Sequence, residues 1–125
     1  MGQNKYYLVS YLLDDKLYKF WKDIIFITDG YWSIRIEGNT YPIKEYLKQL
    51  GFKWSRFHRC WYKYSRDYVK DSKELAEQLS QITNMPIFIV IIPIDVWGDY
   101  IIESIYEVEE IVKEHKKRKS SLNKV

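Results

Sequence analysis

The stretch DIIFITDGYWSIRIEG, residues 23–38, contains the clearest fold signal in the chain. β-branched and aromatic residues precede an Asp-Gly pair at 29–30, a dipeptide that favours a tight turn between antiparallel strands. After this pair, Trp32, Ile34 and Ile36 alternate with residues of the opposite face, which is typical of a strand with one buried face. The stretch therefore predicts a β-hairpin.

Further strands are predicted on both sides of this hairpin. Residues 5–13 (KYYLVSYLL) are rich in β-formers. Residues 86–92 (PIFIVII) are apolar throughout, which is typical of a central strand covered on both faces. Residues 52–55 and 60–64 predict two short strands joined by a turn at 56–59.

Three segments have the apolar spacing of helices. Residues 41–50 follow Thr40, which fits an N-cap, and they end at a glycine. A second helix is predicted from a cap at Asp71 or Ser72 to Asn84. A third, with an acidic outer face, is predicted from Asp99 to about residue 117.

These elements predict one small α+β domain over residues 1–115, and the length of 125 residues suits a single core. We expect a mixed or antiparallel sheet of about five to six strands with two or three helices on it. Within it, residues 41–79 form a helix-hairpin-helix-like module. Residues 116–125 are predicted to form a basic tail, which we expect to be flexible.

Composition argues against several classes of protein. The single Cys60 excludes an intramolecular disulfide, and one Cys with two His argues against a four-ligand zinc site. No stretch approaches the roughly 20 apolar residues of a membrane helix, and the N-terminus lacks a signal-peptide pattern. We therefore expect an intracellular protein without membrane contact, metal or other cofactor, as a monomer or homodimer.

Charge is segregated along the chain. Residues 43–70 carry eight Lys/Arg and two Asp/Glu, for a net +6, whereas residues 71–115 carry two Lys and ten acids, for a net −8. Residues 116–125 add five basic residues and no acids. Such blocks indicate charged partners. The alternative is self-neutralisation, in which the acidic helix lies against the basic block.

Residues 41–70, the basic aromatic segment, interleave cations with aromatic side chains. Cations attract phosphates and release counterions, while aromatic rings stack on unpaired bases. We expect Trp54 and Trp61 to be framework residues and the turn 56–59 to be the contact tip, with added affinity from the tail. The predicted nucleic-acid-binding residues are Lys44, Lys48, Lys53, Arg56, Phe57, Arg59, Lys63 and Arg66.

Residues 41–79, YPIKEYLKQLGFKWSRFHRCWYKYSRDYVKDSKELAEQL, resemble the HARP-type domain of annealing helicases and related small modules attached to primases and helicases. The positions that carry the resemblance are Lys48, Gly51, Trp54, Arg59 and Trp61. It implies recognition of branched or single-stranded DNA. The chain departs from the pattern because no helicase motor accompanies the module. Its Ile-, Lys- and Tyr-rich composition is similar to that of proteins from hyperthermophilic archaea and their viruses.

The sequence thus favours a non-enzymatic nucleic-acid-binding protein, with single-stranded or junction DNA preferred. One alternative is a small viral or accessory protein-interaction factor that uses the acidic helix at 99–114. Another is a metal-dependent nuclease, because several acids fall near strand ends: Asp14, Asp15, Asp23 and Asp29. His58 and Cys60 are two residues apart, and we interpret them as a turn residue and a half-buried strand residue.

Overall fold

The structure is a computed structural model that describes residues 6–123, so residue 5 of the first predicted strand and residues 124–125 of the predicted tail lie outside it. Over the described residues, seven strands form a single sheet. The strands are β1 (Tyr7–Ser10), β2 (Ile25–Gly30), β3 (Ser33–Gly38), β4 (Lys53–Ser55), β5 (Cys60–Tyr64), β6 (Ile87–Ile91) and β7 (Ile101–Ile102). The helices are α1 (Lys44–Gln49), α2 (Tyr68–Ser80), α3 (Ile105–Asn123) and the 3₁₀ helices Tyr11–Phe20, Tyr41–Ile43 and Pro93–Asp95.

The sheet is mixed, in the order β4-β5-β3-β2-β6-β1-β7. Strands β2, β6, β1 and β7 run parallel, whereas β3, β5 and β4 continue the sheet from β2 by antiparallel pairing. The predicted α+β class is confirmed, and of the two expected sheet types, mixed or antiparallel, the sheet is mixed, with seven strands where about five to six were expected. The additional strand is β7, which pairs Ile101 with Leu8 and Ile102 with Val9 at the edge of β1.

The predicted hairpin at 23–38 is confirmed, but its turn lies two residues later than expected. Pairing continues through Asp29 opposite Ile34 and Gly30 opposite Ser33. The chain therefore reverses at Tyr31 and Trp32, and Trp32 adopts a left-handed backbone with φ 54°. Its carbonyl accepts a hydrogen bond from Ser65 N at 3.1 Å, which ties the turn to the residue after β5.

The first strand is shorter than predicted and ends at Ser10. The Ser10 side chain accepts a hydrogen bond from Leu12 N and begins the 3₁₀ helix Tyr11–Phe20. This helix forms where the chain leaves the sheet because Leu13, Leu17 and Phe20 then lie on one buried face. Residues 11–13, predicted as strand, belong to that helix.

Helix boundaries also differ from those predicted. α2 begins at Tyr68, because the Asp67 side chain caps it by accepting from Lys70 N. The predicted cap, Asp71, accepts instead from Ser65 Oγ at 2.7 Å. α3 begins at Ile105, six residues later than expected, since residues 101–102 pair as β7, and it continues through Asn123. The described part of the predicted tail is therefore helical.

Helices cover the two faces of the sheet unequally. α1 and α2 pack on one face, here called the α1–α2 face, and the 3₁₀ helix Tyr11–Phe20 and α3 pack on the other, the α3 face. All five residues of β6 are buried, as predicted for a central strand: Ile87, Ile89 and Ile91 point to the first face, and Phe88 and Val90 to the second. Within residues 6–123, no helix is long and apolar enough to cross a membrane.

Candidate nucleic-acid interface

The hairpin β4–β5 forms one edge of the sheet, and its turn is the most exposed part of the basic aromatic segment. Arg56, Phe57 and Arg59 are all exposed, and the Phe57 side chain is 89% accessible. The Ser55 side chain accepts from His58 N at 3.1 Å, which closes the turn, and Arg59 completes it with φ 53°. The structure therefore places the three predicted tip residues together at one solvent-exposed point.

The two hairpin tryptophans lie on the α1–α2 face and differ in burial. Trp61 is 7% exposed, and its Nε1–H donates to Thr40 Oγ1 at 3.2 Å. Thr40 occupies the predicted N-cap position, but of the 3₁₀ helix Tyr41–Ile43 that precedes α1, and its hydroxyl makes no capping hydrogen bond there. Trp54 packs edge-on against Trp61 at 5.4 Å but remains 47% exposed, since β4 has no neighbour on its outer side. Trp61 is a framework residue, whereas Trp54 is about half exposed to solvent.

Three predicted lysines lie near α1 and have local partners. Lys63 Nζ donates to Leu50 O at 2.6 Å, at the end of α1. Lys44 lies over the Tyr41 ring at 4.1 Å. Lys48 pairs with the Glu45 carboxylate of its own helix at 3.3 Å. These lysines are held in place by neighbours on the α1–α2 side, unlike the arginines at the tip.

The remaining predicted cations, Lys53 and Arg66, belong to the other side of the sheet. Cross-strand register pairs Lys53 with Tyr62, and Tyr62 in turn with Arg35 of β3. Arg66 Nε donates to Tyr64 Oη at 2.9 Å. Arg35, Tyr62 and Tyr64 were not among the predicted site residues. The alternation of β3 placed Arg35 on the face opposite Ile34 and Ile36, but nothing in that pattern indicated that this face is uncovered.

The acidic helix does not neutralise the basic aromatic segment. α3 packs against β7 and the 3₁₀ helix Tyr11–Phe20, near the sheet edge opposite β4. Its Glu109 pairs with Lys19 at 3.6 Å and with Lys113 at 3.8 Å. Across the described part of the chain, no Lys or Arg from 53 to 66 forms an ion pair with α3. Self-neutralisation by this helix is therefore wrong.

Acidic residues gather at the end of the strands that is opposite the hairpin tip. Asp14, Asp29 and Asp95 lie at or just after the carboxyl ends of β1, β2 and β6. Burial raises the pKa of Asp14, as does Asp15 beside it. Burial also raises the pKa of Asp29, with a further contribution from Asp95. Because β5 runs parallel to β2, its first residue and the tip lie at the other end.

These acids do not assemble the metal site that a nuclease would need. Of the four acids predicted for it, Asp23 pairs with Lys116 at 3.1 Å at the start of β2, away from Asp14 and Asp29. Among the residues that the structure describes, no group of three or more His, Cys, Asp or Glu side chains could hold a metal ion. Nothing in this arrangement favours the nuclease alternative.

His58 and Cys60 are not arranged as a nucleophile and base. His58 is exposed in the turn, with its ring against Phe57 at 4.9 Å. Cys60 is 2% exposed, and burial raises the pKa of its thiol, as does the nearby Glu37 carboxylate. A buried thiol with a raised pKa is a poor nucleophile.

A groove of 690 Å³ lies between the end of α2 and α3, away from the hairpin. Three glutamates line it, Glu107, Glu110 and Glu114, beside Arg118. Acidic side chains repel phosphates, so this groove is unsuited to nucleic acid.

Comparison with known proteins gave no match among protein families, curated proteins or solved structures. The resemblance of residues 41–79 to HARP-type modules therefore stays a prediction.

Proposed function

We propose that this chain is a nucleic-acid-binding protein that contacts single-stranded or junction DNA through the β4–β5 hairpin. The observation that carries the proposal is the tip: Arg56, Phe57 and Arg59 are exposed together, and neither arginine has an ion-pair partner among the described residues. An arginine without an ion-pair partner can bind a phosphate without first breaking a salt bridge.

The other predicted residues continue from this tip along both sides of the sheet. Lys44, Lys48 and Lys63 would carry the phosphate path along α1, and Lys53 and Arg66 would carry it along the opposite face. Phe57, with little core to reach from the turn, would stack on an unpaired base. The acids at the opposite end of the strands would orient the protein so that the tip faces the negative backbone.

Fluorescence anisotropy with a labelled single strand at several salt concentrations tests the proposal. The informative variant is Arg56→Gln/Arg59→Asn, because asparagine tolerates the left-handed backbone at 59 better than most residues do. We expect weaker binding to every sequence alike. The slope of log K against log salt should fall by about 1.4, since each phosphate contact on a single strand contributes about 0.7.

The matched control is Lys16→Gln/Lys113→Gln, which removes two exposed cations outside the basic aromatic segment. If both double variants lost the same affinity for the single strand, attraction by net charge alone would explain the binding. The hairpin would then not be the contact site. Absence of binding at low salt, or binding that salt does not weaken, would reject nucleic-acid binding itself.

A second candidate function is protein binding at the acidic side of the molecule. The loop between β6 and β7 exposes Ile94 by 85% and Trp97 by 97%. Tyr100 joins this loop to the acidic helix by donating to Glu107 at 2.7 Å. Large exposed aromatic and aliphatic side chains are typical of protein-binding anchors.

A pull-down after nuclease treatment distinguishes the two functions. Protein binding predicts a stoichiometric partner that survives the nuclease and is lost from a Trp97→Ser variant. Tyr31→Ser, which removes another highly exposed aromatic ring, is the control and should retain the partner.

A further inference from the structure

We infer that the α3 face of strands β3, β5 and β4 is a second contact site, which stacks unpaired bases and gives the protein a preference for single strands over duplex. This inference rests on the proposed nucleic-acid-binding function and adds residues that the hairpin tip does not include. The site, here called the open sheet face, comprises Arg35, Lys53, Tyr62, Tyr64 and Arg66.

Strand register aligns these side chains. Arg35 is paired with Tyr62, and Tyr62 with Lys53, so the three lie in one row across neighbouring strands. Adjacent members of such a row are about 5 Å apart. Tyr64 is two residues further along β5, on the same face and about 7 Å from Tyr62. Two tyrosine rings therefore follow one another along the strand, with a cation on each side of the first ring.

The neighbouring row of side chains on this face, which contains Glu37 and Cys60, is covered by a helix and marks the boundary of the site. There, Tyr18 of the 3₁₀ helix Tyr11–Phe20 packs against Phe26 at 5.1 Å and donates to Glu37 at 2.6 Å. Cys60, opposite Glu37 on the same face, is 2% exposed. Further along β5, on the same face, Tyr62 is 38% exposed and Tyr64 is 63% exposed. The covering helix thus reaches the Cys60 row and leaves the two tyrosines open.

Local structure shapes the surroundings of Arg35 and of the second ring. Gly30, at the end of β2, has no side chain, and a Cβ there would collide with the side chains of Ser33 and Arg35. The space beside Arg35 therefore exists because residue 30 is glycine. Arg66 donates to Tyr64 Oη, which orients the ring and places a guanidinium at its edge.

One acid, Glu37, lies in the neighbouring row of this face. Glu37 precedes the open row, and its two carboxylate oxygens accept from Tyr18 and from Thr28, the latter at 3.3 Å. These hydrogen bonds direct the carboxylate toward the covered part of the sheet. The open sheet face therefore carries three cations, the half-buried Arg35 with Lys53 and Arg66, against the single charge of Glu37 at its border, so its cations outnumber that acid.

This chemistry suits an unpaired strand. In a duplex the faces of the bases are stacked on one another, so only the phosphates could reach this surface. In a single strand the bases are free, and tyrosine rings stack on them whatever their sequence. Stacking contributes about 1–3 kcal/mol per base by alanine substitution, which corresponds to about 5- to 150-fold in the dissociation constant.

The experiment measures the dissociation constants of Tyr62→Ala/Tyr64→Ala for a single strand and for a duplex of the same length, at one salt concentration. We expect binding to the single strand to weaken by about 5- to 150-fold for each ring that stacks on a base, while binding to the duplex changes by less than about twofold. Tyr62→Phe/Tyr64→Phe retains the rings and should stay close to wild type. The control Tyr11→Ala/Tyr106→Ala removes two exposed tyrosines outside the basic aromatic segment and should leave both constants unchanged.

The readouts separate this inference from the proposed function. The salt slope should be unaltered in Tyr62→Ala/Tyr64→Ala, because no phosphate contact is removed, in contrast to Arg56→Gln/Arg59→Asn. If wild type binds single strands and the alanine variant, shown folded by its thermal melt, binds them equally well, the open sheet face is not the site. An equal loss of affinity for the duplex would contradict base stacking as the cause of binding. If wild type binds no nucleic acid, both proposals fail together.

Discussion

The parallel half of the sheet and its antiparallel end differ in how completely helices cover their two faces. In β6, the side chains on both faces of the strand are buried, because α2 covers one face and the 3₁₀ helix Tyr11–Phe20 and α3 cover the other. In β5, Trp61 is buried while the next residue, Tyr62, is 38% exposed. The two regions differ in what lies above them, and that difference separates the residues that stabilise the fold from those available for binding.

The largest expected effect comes from removing a ring from the covered half. Phe88 is fully buried between β1 and β2, so Phe88→Ala should lower the free energy of unfolding by about 3–5 kcal/mol. Urea denaturation measures this loss. Tyr62→Ala, at the open end, should cost clearly less, about 1–2 kcal/mol, since that residue is already 38% exposed. Comparable losses at the two positions would contradict the division between the halves.

An intermediate effect is expected where the antiparallel end is anchored. Thr40→Val keeps the shape of the side chain but leaves the buried Nε1–H of Trp61 without its acceptor. This should cost about 1–3 kcal/mol of unfolding free energy. In a Trp61→Phe background the same substitution should cost much less, because the donor is gone, and a double-mutant cycle measures the coupling. Additive losses would show that the hydrogen bond does not anchor this end.

The smallest effect concerns the acids at the carboxyl end of the parallel strands. Burial and the adjacent Asp15 raise the pKa of Asp14, and one of its oxygens is buried without a hydrogen-bond partner among the described residues. A raised pKa in the folded state means that ionisation destabilises the fold. The destabilisation grows as the pH rises through the folded pKa, and it is absent below the unfolded value of about 3.9.

Asp14→Asn should therefore raise the melting temperature at pH 7, by an amount equivalent to less than about 1 kcal/mol, and the gain should vanish near pH 3. Thermal melts over this pH range measure it. Glu77→Gln, at an exposed position of α2, is the charge-matched control and should show no such trend. A gain that persists at low pH would point to packing in place of charge.

Much of the fold follows from local patterns. The apolar run of β6, the alternation of β3 and the helical spacing of α2 each appear within a few consecutive residues, and each element formed. Element ends were less predictable, because they depend on partners distant in sequence. The pairing of Ile101–Ile102 with β1 replaced the predicted start of α3, and the capping of α2 by Asp67 replaced a cap at Asp71.

The candidate site divides in the same way. A tip of Arg56, Phe57 and Arg59 could be predicted, because an aromatic residue flanked by cations in a tight turn has little core to reach. Arg35 could not be included, because it is separated from Lys53 in sequence and adjoins it only through the register of β3, β5 and β4. Likewise, nothing near Tyr62 and Tyr64 indicates whether a helix lies above them.

Composition, alternation and turn residues were thus sufficient for the α+β class, six of the seven strands and the segregation of charge, because these properties depend on neighbours along the chain. Tertiary structure alone determined which strand faces are covered, that the acidic helix packs far from the basic hairpin, and that two tyrosines and three cations share one open surface. Burial and electrostatic pairing are set by contacts between residues remote in sequence, and such contacts exist only once the sheet has formed.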